Sequence, residues 1–186
     1  MARAVALLRA VNVGGRTATK AQLTAALEGA GLTGVSTFLA SGNVLFDLPT
    51  APPLPRLSDG QRAALELRVE AELLSVLGFP VEVFLRTSAE LDALAAFDPF
   101  PTADPTVARQ VAFLKTLPVE QGRAALAALS SDRDTLVLAD REVWWLARDG
   151  VGRSALKPGS LDRALGQPVT ARSLTTVTRL AALLRT

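Results

Sequence analysis

The chain has 186 residues, 49% of them apolar and 20% charged, with 20 basic residues against 18 acidic ones, a formal net charge of +2. That composition supports a sizeable core and excludes wholesale disorder. It contains no Cys, no His and no Tyr. Disulfides, thiolate metal sites, thiol nucleophiles and any Ser-His-Asp arrangement are therefore excluded, leaving a carboxylate-only Mg²⁺ site as the one metal option.

Ala4–Val13 alternates well enough for a strand, and Gly14-Gly15 follows as a turn. Thr19 with Gln22 three residues later forms a capping box for a helix carrying Leu23, Ala26, Leu27 and Ala30, stopped at Gly31. Val35–Ala40 and Val44–Leu48 read as strands of a hairpin turning at Ser41-Gly42-Asn43. Pro49, Pro52, Pro53 and Pro55 define a loop, and Ser58 or Asp59 caps a helix through Leu65, Val69, Leu73, Val76 and Leu77 to Gly78. A strand at Val81–Leu85 completes β-α-β-β-α-β over residues 1–86, the pattern of a ferredoxin-like plait.

Residues 87–186 read as a second α+β sub-domain, αβαββαβα, with a related mixed sheet. Ser88–Ala96 is a short helix, and the proline-punctuated stretch from Asp98 to Pro105 is a connection marking the domain boundary. Val107–Leu114 is a strand, and Pro118 opens a helix through Leu129. Thr135–Ala139 and Val143–Ala147 pair around Asp140-Arg141-Glu142, and alternation sends one of Trp144-Trp145 inward and the other outward. Ser160 caps a helix to Leu165, Val169–Ala171 is a brief strand, and a last helix runs from Ser173. The two halves share an order of elements without a residue-level repeat.

The runs Leu7-Leu8-Arg9-Ala10-Val11-Asn12-Val13-Gly14-Gly15, Ser41-Gly42-Asn43-Val44-Leu45-Phe46, Gly150-Val151-Gly152-Arg153-Ser154-Ala155-Leu156 and Ala171-Arg172-Ser173-Leu174-Thr175-Thr176-Val177 stand out. In that order and spacing they resemble the bacterial family catalogued as domain of unknown function 1697, from about Arg3 to Leu180. The resemblance implies an α+β fold of two dissimilar sub-domains, the first plait-like. It implies no established activity, cofactor or catalytic set. The chain departs from the family pattern where Gly usually stands in place of Ala10, Lys in place of Ala155, and Arg-Asn-Trp-Asn-Thr-Val in place of Arg172–Val177.

Two glycine-bearing loops are the candidate site. Gly14-Gly15 lies between a strand and a helix N-terminus, where N–H groups suit an anion and Arg16 and Lys20 add charge; a tight turn explains the same glycines. Gly150-x-Gly152-Arg153-Ser154 offers close backbone approach, a guanidinium fork and a hydroxyl, unless Arg153 pairs with Asp149 or Asp162. Arg9 and Asn12 interrupt an apolar strand; Arg9 either faces a ligand or pairs with an acid such as Glu82. Asp132, Asp134, Asp140 and Glu142 are explained by turn chemistry.

The expectation is a cytoplasmic, membrane-free monomer or homodimer without a resident cofactor. Its ligand-binding residues are Arg9, Asn12, Gly14, Gly15, Arg16, Gly150, Gly152, Arg153 and Ser154, and the ligand is a phosphate-bearing small molecule or a nucleic-acid backbone. No catalytic or metal-binding residue is assigned. The alternative is a protein–protein or self-association module using exposed strands and one outward Trp. A Mg²⁺-dependent phosphate enzyme ranks last, and it requires a carboxylate cluster beside the glycine loops. An RNA-recognition platform is excluded because the first strand carries no aromatic residue and the third carries only Phe46. The stretch from Asp149 to Thr186 has six basic residues (Arg153, Lys157, Arg163, Arg172, Arg179, Arg185) against Asp149 and Asp162, suiting either a polyanion or a solvated face.

Overall fold

The computed structural model describes residues 3–48 and 57–185; the proline-rich loop expected at 49–55 lies outside them. The chain divides into two units, Met1–Ala93 with Thr178–Thr186, and Leu94–Val177. Each contains one four-stranded sheet.

In the first unit β1 (Arg3–Leu8), α1 (Lys20–Gly29), β2 (Thr33–Phe38), β3 (Asn43–Asp47), α2 (Asp59–Leu77) and β4 (Val83–Thr87) follow one another, and the sheet order is β2-β3-β1-β4. All three pairings are antiparallel. Both helices start as their sequences dictate: Thr19 and Ser58 each close a capping box, with Gln22 and Gln61. Gly78, in the left-handed conformation, ends α2. Leu65, Val69 and Leu73 of α2 meet Ala4, Ala6 and Leu8 of β1 and Val44 and Phe46 of β3 in one buried cluster. Burying each such leucine or valine contributes about 1.5–3 kcal/mol.

The opposite face of this sheet is buried too: Val5, Leu7 and Phe84 expose nothing and Leu45 almost nothing.

The strand expected to run to Val13 stops at Leu8. Ala10 turns the chain with φ +55°, a left-handed conformation for which glycine is the usual choice. The turn between β2 and β3 is also longer than expected, covering Leu39–Gly42, and Leu39 takes φ +61°. A Cβ placed on Gly42 (φ +76°) would lie 2.6 Å from Val11 Cγ2 and 3.0 Å from Leu8 Cβ, so glycine alone fits.

The outer edge of β4 is closed by side chains. The β1–β4 ladder engages the even-numbered residues of β4, as in the bond from Arg9 N to Glu82 O at 3.0 Å, leaving Val83, Leu85 and Thr87 facing outward. Their N–H groups donate to Glu70 Oε1 (2.8 Å), Glu66 Oε1 (2.9 Å) and Glu90 Oε2 (2.8 Å). Arg62 Nη1 donates to Leu85 O, and its Nη2 meets Glu90 Oε1 at 2.6 Å. Arg62, Glu66 and Glu70 recur every four residues on α2, which lays all three along the strand. The Arg62–Glu90 pair is buried, so each charge depends on the other.

In the second unit β5 (Ala108–Phe113), α4 (Glu120–Ala127), β6 (Asp134–Ala139), β7 (Glu142–Ala147), α5 (Ser160–Leu165) and β8 (Thr170–Ser173) give the sheet order β6-β7-β5-β8. The order mirrors that of the first sheet strand for strand. Helices α3 (Ser88–Ala96) and α6 (Leu174–Leu184) complete the chain. The sheet expected to be mixed is antiparallel throughout. A helical crossover does make β5 and β6 parallel in direction, but β7 inserts between them.

Both adjacent tryptophans are buried, which corrects the expectation of one outward ring. Trp145 joins the cluster of Leu126, Leu161, Leu165 and Val169, while Trp144 packs edge-on against Phe97 with centroids 5.3 Å apart. The sheet is covered on both faces, so alternation separates two interiors. The proline-punctuated stretch is tied down by Arg109, whose guanidinium donates to the carbonyls of Ala103, Asp104, Pro105 and Val107 at 3.1–3.3 Å.

Candidate functional site

The predicted site residues fall into two groups, one in each unit. In the first unit the pair Gly14-Gly15 takes φ +62° and +82°, with nothing within 4 Å of a Cβ at either position. Both are turn conformations that leave the backbone exposed. Four residues separate them from the first residue of α1, where the Thr19 side chain accepts from the Gln22 N–H. Asn12 holds this loop in place: its Nδ2 donates to Ala40 O at 2.7 Å and its Oδ1 accepts from Ala18 N at 2.9 Å. Its role in the structure is to join the loop to the β2–β3 turn.

Arg9 Nη1 meets Glu82 Oε2 at 2.6 Å, both side chains about one-third exposed. A cavity of about 350 Å³ is lined by Arg9, Ala10, Arg16, Pro80 and Glu82. The Arg16 guanidinium lies over the Phe79 ring, 5.3 Å from its centroid. The Glu82 carboxylate offsets one of the two cations here, which weakens the field an anion would meet.

In the second unit the segment after β7 forms a single 3₁₀ turn, Val151–Arg153, entered through Gly150 at φ +82°. The N–H groups of Gly150, Arg153 and Ser154 bond to Ala147 O, Gly150 O and Val151 O at 3.0–3.3 Å. Ser154 Oγ accepts from Leu156 N at 2.9 Å. These three N–H groups are thus engaged within the turn itself. The Arg153 side chain is exposed and makes no hydrogen bond or ion pair among the described residues. Asp149, one acid expected to neutralise it, instead lies 3.4 Å from Arg133.

A cavity of about 470 Å³ is lined by Gly152, Ser154, Lys157, Ser160 and Asp162, with Trp145, Leu156, Leu161 and Val169 supplying its apolar lining. The volume lies in the range of small-molecule sites, as does the mixture of apolar floor and few polar groups.

The residue that sets this geometry was not among the sequence candidates. Asp134 is buried; its Oδ1 accepts from Trp145 Nε1 at 2.7 Å and its Oδ2 from Ala155 N at 3.0 Å. One carboxylate thus fixes the indole plane and pins the loop beside it. An acid at the start of a strand reads as turn chemistry, and the bond to Trp145 crosses from β6 to β7, so periodicity gives no hint of it.

The basic C-terminal stretch is dispersed in its contacts. Arg172 is buried, which lowers its pKa to about 10, and it donates to Thr170 Oγ1 and Ala171 O at 2.9 Å. Arg185 pairs with Asp92 at 2.7 Å, and Arg179 lies 4.8 Å over the Phe38 ring. Among the described residues no group of three or more acids could hold a metal ion, and no helix is long and apolar enough to cross a membrane.

Two antiparallel four-stranded sheets with helices, in two units of matching strand order, define the class: an α+β protein. The family described as "Protein of unknown function (DUF1697)" matches residues 1–144, and the chain belongs to it. Among solved structures it is similar to the conserved bacterial protein SP0830 from Streptococcus pneumoniae, with a TM-score of 0.74 and 20% identity over 100% of this chain and 99% of that one. That likeness is one of fold. No curated protein matches.

Proposed function

We propose that this chain binds a small phosphate-bearing ligand of the nucleotide kind in the cavity of its second unit. The observation that carries the reading is the meeting of an oriented indole wall at Trp145 with Lys157, Ser154 and Ser160 in one cavity. An apolar, planar body suits the Trp145, Leu161 and Val169 lining, and a phosphate suits Lys157 with Arg153 close by in sequence. A nucleotide ligand also fits the cytoplasmic setting expected from the sequence.

The first unit's Gly14-Gly15 loop and the Arg9–Arg16 cavity make the weaker case, since Glu82 already engages Arg9. Titration of nucleoside mono-, di- and triphosphates and of inorganic pyrophosphate, followed by tryptophan fluorescence at low and high salt, tests the reading. Lys157→Ala and Arg153→Ala should each weaken binding by about tenfold, and added salt should weaken it further. Absence of binding at low salt, or affinity indifferent to both substitutions, refutes it.

A further inference from the structure

The opening motif of the chain, Leu7–Gly15, supplies no lining to the cavity of the second unit, and its turn builds a cavity of its own. β1 ends at Leu8 and β4 begins at Val83. The bond from Arg9 N to Glu82 O at 3.0 Å joins these two strand ends, and the Arg9 and Glu82 side chains meet beside it. Ala10 turns the chain away in its left-handed conformation, and a second turn, closed by Arg16 N on Val13 O at 3.2 Å, follows the motif. Arg16 thereby lines the same cavity of about 350 Å³ as Arg9 and Glu82, with Ala10 and Pro80 as its apolar part.

Two opposite charges in this cavity lack a counterpart. Glu82 uses Oε2 to accept from Arg9 Nη1 at 2.6 Å, and its Oε1 accepts no hydrogen bond among the described residues. The Arg16 guanidinium lies over the Phe79 ring, a contact that orients its plane without using an N–H donor. Among the described residues that guanidinium joins no hydrogen bond or ion pair, so it does not pair with Glu82 across the cavity. A plain anion entering here meets the Glu82 carboxylate, and a plain cation meets two guanidinium groups. A small molecule carrying both charges satisfies the Arg16 donors and Glu82 Oε1 together.

We propose that this cavity is a second binding site, for a zwitterion of the free amino-acid type. Arg16 takes the carboxylate, Glu82 Oε1 takes the ammonium group, and Arg9 holds the Glu82 carboxylate in position. The body of the ligand lies against Ala10 and Pro80. The site is built from the first unit alone and does not depend on the nucleotide reading of the second.

Titration of the full chain with each of the standard L-amino acids, followed through the arginine Nε–Hε resonances in NMR, tests the proposal. At least one should shift the Arg16 signal to saturation, that signal being identified by its loss in Arg16→Gln. For that amino acid, the analogues lacking the ammonium or the carboxylate should each bind at least about tenfold more weakly. Arg16→Gln should weaken the amino acid by a similar factor, read from the remaining signals. Glu82→Gln should weaken it too while strengthening the ammonium-free analogue, because the lining then holds two cations and no anion. General damage to the fold would weaken both ligands together, so this inversion separates a binding role from a structural one. Absence of a saturable shift with every amino acid overturns the proposal. So does a wild-type chain that prefers the ammonium-free analogue, or a Glu82→Gln variant that changes both ligands alike.

Discussion

Trp145 Nε1 donates to Asp134 Oδ1 across the β6–β7 pair at 2.7 Å, while the second oxygen of the same carboxylate holds Ala155 N at 3.0 Å. Removing the carboxylate leaves two donors, one on a buried ring, without their acceptor. Asp134→Ala should therefore cost about 2–4 kcal/mol of unfolding free energy in urea denaturation. Asp134→Asn keeps one acceptor and should cost less.

Gly42 and Gly14 have similar positive φ angles but different surroundings. At Gly14 a methyl group meets nothing within 4 Å, so Gly14→Ala should cost only the backbone penalty, about 1 kcal/mol. At Gly42 the methyl would sit 2.6 Å from Val11, and Gly42→Ala should cost about 2–4 kcal/mol. Equal losses in chemical denaturation would contradict the close approach.

Ala10 gives the converse experiment. Its φ of +55° places a Cβ in the left-handed region. Ala10→Gly relieves that strain, partly offset by the greater freedom of glycine in the unfolded chain, and should raise stability by about 0.5–1 kcal/mol. A thermal melt that falls instead would refute the account of this turn.

Asp104 titrates below its ordinary value of 3.8, chiefly because Thr106 Oγ1 donates to its Oδ1 at 2.7 Å, with the Thr106 N–H adding a second bond at 2.8 Å. A folded-state pKa below the unfolded one contributes stability above the unfolded value, and that stability is lost as pH falls through the folded value. Thr106→Ala should move the Asp104 midpoint upward in an NMR titration of the carboxyl resonance. It should also shrink the acid-side change in stability.

What the sequence made legible was local. The Thr19–Gln22 and Ser58–Gln61 boxes, the glycine stops and the hairpin pattern all act within a few residues, and the elements they bound follow chain order. Contacts between distant segments were not legible. The Glu66 and Glu70 bonds to β4 look in sequence like ordinary helix-surface acids, and Asp134 looks like a turn residue. Trp144 and Trp145 alternate as expected, but the covering of both sheet faces comes from packing beyond the strand itself. Among the site candidates, Arg9 beside Glu82 was foreseeable as a charge needing a partner, whereas the bond from Asn12 to Ala40 O spans 28 residues of sequence and was not legible.

The clasp that Arg109 makes around residues 103–107 changes what that stretch means for handling the protein. Three prolines between Asp98 and Pro105 suggest a place to cut or to insert a tag. Endoproteases need several residues of deformable, extended backbone, and here four carbonyls are already committed to one guanidinium. Limited digestion should therefore spare this segment in the native chain, and Arg109→Ala should turn it into a preferred point of cleavage.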